Sequence, residues 1–110
     1  MECVRIAGLP DDPLEAAAVF HAEHAARLRA AATDLVIAFP MAGHTHKGWR
    51  LAAVQMLARA IAPLRVNAVS GGTDAAIAAA FEYLARAPGL TGQLISLDDL
   101  GAGAVLPLPA

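Results

Sequence analysis

DLVIAFP, residues 34–40, is the stretch whose reading decides the fold. It opens on an acid, runs without interruption from Leu35 to Phe39 through apolar residues, and stops at Pro40. A strand with one wet face alternates apolar and polar residues; this run does not alternate, so it reads as a strand buried on both faces.

Similar runs lie on either side. CVRIAGL (3–9) is β-branched and closed by Gly8 and Pro10, LRVNAVS (64–70) stops at Gly71-Gly72, and QLISL (93–97) makes a fourth strand. The intervals read as helices. Asp11, Asp12 and Pro13 suit the start of a helix over 13–32. A second covers 48–62. A third, capped by Thr73 or Asp74, runs to about Ala87 with Ile77, Phe81 and Leu84 on one face, and Pro88-Gly89 ends it. The order βαβαβαβ defines an α/β fold with a parallel sheet of about four strands and three main helices. Right-handed crossovers put at least the first two helices on one face, leaving the other thinly covered. Residues 3–99 form a single domain on this reading, and 100–110 an irregular tail.

With 110 residues the chain fits one domain. A net charge of −2 and a pI near 6.0 give no basic field for nucleic acid. The single cysteine, Cys3, excludes an internal disulfide, suits a reducing cytoplasm, and reads as an inert, half-buried strand residue. No signal pattern opens the chain, and Gln55 and Arg59 break the longest greasy stretch, so no membrane span is expected. The mean hydropathy of +0.52 is high for a small domain. Leu51, Val54, Met56, Leu57 and Ile61 spread around more than half of the 48–62 helix, against roughly 100° for a one-sided surface helix. Both observations imply a partner surface.

HTHKGWRLAAVQ (44–55) concentrates the reactive side chains. It reads as a solvated loop and polar helix entrance, in which alanine at His44, His46 or Lys47 shifts stability by no more than about 0.5 kcal/mol each. Lys47 is at the wrong end of a helix for the usual dipole interaction, so His44, His46, Lys47 and Arg50 are the candidate ligand or partner contacts. His44 and His46 could meet His21 and His24 only in a four-imidazole metal site, but His21 and His24 lie well down their helix, and no metal site is assigned. His21, on a face with Leu14, Ala17, Ala25 and Leu28, reads as a packing histidine. Asn67 and Ser70 read as strand and turn residues, and Gly71-Gly72 as a turn, not a phosphate cradle.

The chain resembles the short-chain dehydrogenases/reductases. LRVNAVSGG is similar to their "IRVNAVxPG", YLARAPGLTGQLISLDD to their "FLAS…TGQxxxVDGG", LAAVQMLARAIA to "KAAxxxLTRxLA", and VRIAG (4–8) to "VNNAG". The likeness covers most of 3–99 and corresponds to the second half of that fold, so it implies a truncated Rossmann-like sheet. Nothing like the Gly-rich G-x-x-x-G-x-G turn occurs here. The family's catalytic serine falls at Pro40, its tyrosine at Lys47 and its lysine at Leu51. Sliding the register by one gives His46 and Arg50 but unmatches Val54 and Leu57. The family's proline after the third of these strands is Gly71, and the only tyrosine, Tyr83, lies in the later helix.

The resemblance therefore implies a cytoplasmic, non-catalytic subunit without a cofactor of its own. It would associate with itself or with a full-length reductase, because the helices matching 13–32 and 48–62 form the family's main dimer interface. Met56, Ala60 and His21 are the interface candidates. The alternative is an NAD(P)-dependent oxidoreductase or half-enzyme whose dinucleotide site comes from a partner chain.

Overall fold

A computed structural model describes residues 1–97; Asp98, Asp99 and the tail expected over 100–110 lie outside the described residues. Four strands, β1 (Glu2–Arg5), β2 (Leu35–Phe39), β3 (Val66–Ser70) and β4 (Leu94–Ser96), form one sheet in the order β1-β2-β3-β4. Every pairing is parallel. The fold is α/β, as the sequence predicts.

β2 is buried at all five positions, which is what the unalternating run requires. Its side chains divide between two cores. Leu35, Ile37 and Phe39 pack with Phe20, Leu28, Ala53, Val54 and Leu57 on one face of the sheet. Val36 and Ala38 pack with Val69, Ile77 and Leu84 on the other. The strand lies between helices on both sides because neither of its faces can tolerate water.

The expected 13–32 helix is two helices, α1 (Pro13–Glu23) and α2 (Ala25–Arg29), with the break at His24. Asp12 caps α1 by accepting from the Glu15 amide at 2.9 Å, and Pro13 sits in the first turn. His21 is exposed and Leu14 is 82% exposed, so of the predicted stripe Leu28 is buried, and the packing face of α1 runs through Ala16 and Phe20. α3 (Lys47–Ala60) buries Arg50, Ala53, Val54 and Leu57 against the sheet and leaves Met56 and Ala60 exposed. α4 (Asp74–Ala85) is capped by Thr73, whose hydroxyl accepts from the Ala76 amide at 3.1 Å.

α1, α2 and α3 belong to one core and α4 to the other, although the strand order advances in one direction throughout. The connection through α4 therefore has the opposite hand to the first two. Parallel crossovers are right-handed in about 98% of cases; this departure gives the second face its own helix.

Two of the segments that resemble the family bond to each other. The buried Asn67 side chain donates to Leu90 O at 2.9 Å and accepts from the Gln93 amide at 3.1 Å. Thr91 Oγ1 accepts from the Val66 amide at 3.1 Å, and the Gly92 amide donates to Val66 O at 2.7 Å. Nearby, Arg65 holds Asp34 at 3.0 Å and donates to Leu84 O and Ala87 O at the end of α4. Gly72 has φ +88°, and a Cβ there would meet Leu97 Cβ at 2.8 Å, so the turn after β3 needs glycine twice over. No helix among the described residues is long and apolar enough to cross a membrane.

Candidate functional site

All four strands point the same way, so their carboxyl ends share one edge of the sheet, where open α/β sheets hold their ligands. Pro40, Gly71 and Ser96 lie at or just beyond that edge, and the entrance of α3 leans over it. His44–His46 forms one 3₁₀ turn leading into α3.

His46 is 6% and Arg50 2% exposed. They are i and i+4 on one helix face, both turned inward, whereas His44 and Lys47 are exposed. The reading of this stretch as a solvated collar is thus corrected for His46 and Arg50. Both reach backbone carbonyls of the flanking loops, His46 that of Asp11 and Arg50 that of Pro40.

His46 Nε2 lies 2.8 Å from Asp11 O, and the Trp49 indole N–H donates to His46 Nδ1 at 3.1 Å. An indole nitrogen can only donate, so Nδ1 is the acceptor and Nε2 carries the proton that reaches the carbonyl. The ring ties the loop before α1 to the start of α3. Trp49 stacks into a cluster with Phe20 and Phe39, at centroid distances of 5.6 Å to each.

Arg50 donates from one terminal nitrogen to Pro40 O at 2.8 Å and to Ser70 Oγ at 3.0 Å, joining the ends of β2 and β3. Its guanidinium carbon lies 4.7 Å from the Phe39 ring centroid and 5.7 Å from that of Trp49. Burial depresses its pKa below the ordinary arginine value. Its Nε is buried without a partner among the described residues.

Two clefts flank Arg50. One, of about 150 Å³, is lined by His44, Lys47, Arg50, Ser70 and Ser96 among others. The second, of about 350 Å³, reaches from Asp11 past Pro40 to Thr45. His21 and His24 are not part of either, and among the described residues no three His, Cys, Asp or Glu side chains gather as a metal ion would need. His46 has committed both ring nitrogens in any case. Cys3 is exposed on β1, not half-buried, and partial desolvation of its thiol outweighs Arg5 and raises its pKa.

A half-open parallel sheet with a polar cleft at its carboxyl edge defines a Rossmann-like α/β protein. A family model described as SDR-like, a short chain dehydrogenase-like protein, matches residues 4–97, and the chain belongs to that family. No curated protein and no solved structure matches it. The inward i, i+4 pair at the entrance of α3 is His46 and Arg50, with Lys47 exposed and Leu51 half-buried beside it. Asn67 does have a partner set, within the fold. An asparagine inside the apolar run VNAV was the available signal, since a buried amide must be bonded on both ends. The Asp34–Arg65 pair had no local signal; its partners are 31 residues apart.

Proposed function

We propose that this chain is a non-catalytic short-chain dehydrogenase-like subunit of the cytoplasm that works by associating with a second copy or with a full-length reductase. One observation carries the reading. At the sheet edge, Pro40, Lys47 and Leu51 stand where the family resemblance puts serine, tyrosine and lysine, and the polar pair beside them, His46 and Arg50, is bound up in the fold. Pro40 has no hydroxyl, both nitrogens of His46 are engaged, and Arg50 braces Pro40 and Ser70. An arginine does not give up its proton near neutral pH.

Two surfaces support association. Met56 is 47% exposed on α3, with Ala60 one turn further along, and β1 pairs with β2 alone among the described residues. Sedimentation of the chain, alone and mixed with a full-length reductase, tests the proposal. A dimer or a mixed complex at tens of micromolar is expected, and Met56→Glu should dissociate it. A stable monomer that binds no reductase would overturn it.

The cleft lined by His44, Lys47, Arg50, Ser70 and Ser96 favours the second reading, an oxidoreductase whose dinucleotide comes from a partner chain. NADH titrated into the chain alone should give no micromolar binding on either reading. Tight binding there would refute the first outright, and hydride transfer appearing only in the mixed complex would establish the second.

A further inference from the structure

We propose that the cleft between the entrance of α3 and the ends of β3 and β4 binds a small oxyanion, a carboxylate or phosphate group, on the Arg50 guanidinium. This does not depend on the association proposal.

Arg50 is an uncompensated buried charge among the described residues: it is 2% exposed, yet it forms no ion pair with any of them. Both of its acceptors, Pro40 O and Ser70 Oγ, are neutral. A buried cation is ordinarily paired or strongly penalised. The aromatic faces of Phe39 and Trp49 offset part of the cost, but the Nε–H has no acceptor among the described residues. The other terminal nitrogen makes no hydrogen bond among the described residues and is not among the buried unpartnered atoms, so it is the donor left for a carboxylate or phosphate.

The surroundings have the matching sign. Lys47 and His44 line the cleft and no carboxylate of the described residues does, whereas Asp11 lines the neighbouring one. α3 has no acidic residue in its first turn and no side-chain cap, so the positive end of its dipole is uncompensated. Gly48, next to Lys47, is exposed and carries no side chain over the helix entrance. Ser70 accepts from Arg50, which leaves its hydroxyl hydrogen to donate. Size fixes the ligand class. About 150 Å³ is well below the roughly 300–1,000 Å³ of sites that enclose whole cofactors, so a single anionic group fits and a dinucleotide does not.

The test is an NMR titration of the whole chain with inorganic phosphate and, separately, acetate, against chloride at equal ionic strength. The readouts are the Arg50 Nε–H and Gly48 amide signals. Saturable shifts with phosphate or acetate but not chloride are expected, and the better-bound probe identifies the group. Lys47→Ala, at an exposed position, should weaken binding about threefold, the scale of one exposed charge contact; Arg50→Gln should abolish it. If Arg50→Gln does not fold, Lys47→Glu decides, and it should abolish binding as well. Asp98 and Asp99 follow β4 in the sequence, so Asp98→Asn/Asp99→Asn is titrated too, with unchanged affinity expected. Shifts that never saturate, that chloride reproduces, or that survive Lys47→Glu would overturn the proposal. So would saturable binding seen only after Asp98 and Asp99 are neutralised.

Discussion

His44, His46 and Lys47 are neighbours in sequence with opposite physical situations, and alanine at each should separate them. His46→Ala leaves the Trp49 N–H and Asp11 O without their partner, a loss of about 2 kcal/mol for two hydrogen bonds in a partly buried site. His44→Ala and Lys47→Ala should stay within about 0.5 kcal/mol, with Lys47→Ala tending to stabilise because it removes a cation from a helix N-terminus. Urea denaturation of the three variants checks the ordering; equal effects would return His46 to the solvated loop. A second residue prediction concerns acid. The Arg65 backbone N–H, and then its side chain, hold the Asp34 carboxyl below its ordinary pKa. A depressed carboxylate contributes stability above its unfolded pKa and loses it as pH falls through the folded one. Asp34→Asn should therefore cost about 2 kcal/mol at neutral pH, with a shallower decline than wild type as pH drops below the ordinary carboxylate range, followed by thermal melts across pH.

At the scale of elements, the legible part was what local pattern controls. The run 34–40, the double glycine at 71–72 and the Thr73 cap each state a local conformation, and strand, turn and cap all lie where those residues put them. The break at His24 was not legible, because the alanine-rich segment around it carries no proline or glycine. Nor was the inward turn of His46 and Arg50. Their i, i+4 spacing was visible, but which helix face meets the sheet depends on partners at Asp11 and Ser70, distant in the chain. The hand of the α4 connection was likewise set by packing on the second core rather than by any residue in the loop. Asn67 lies between these cases, a polar letter in an apolar run whose meaning is the clamp on residues 90–93. Asn67→Leu keeps the branched skeleton, adds bulk and strands Leu90 O and the Gln93 amide, and should cost about 2–3 kcal/mol. β4 is short and is held through this clamp, so hydrogen exchange in 90–96 should accelerate before that in β2. Uniform acceleration would mean the clamp is not local.

The whole molecule poses a different question, which surface its open sheet presents. β1 is an edge strand among the described residues, and its ladder with β2 occupies a defined half of its backbone groups. The Glu2 amide donates to Asp34 O and the Ile6 amide to Ala38 O, each at 2.9 Å. Backbone donors alternate sides along a strand, so the Cys3 and Arg5 amides point away from the sheet. Such an edge is a template for another strand unless something blunts it. Arg5 provides a charge, and its ion pair with Asp74 at 3.0 Å is solvent-exposed and weak. Proline tests the edge without disturbing the fold, since it is tolerated where an edge strand's N–H faces outward. Cys3→Pro removes one outward donor and no bond to β2. If the open edge takes part in association, this variant should melt near wild type and yet sediment as a smaller species, or lose its reductase partner. If it associates as wild type does while Met56→Glu does not, the α3 face alone carries the contact and the edge is simply a protected margin.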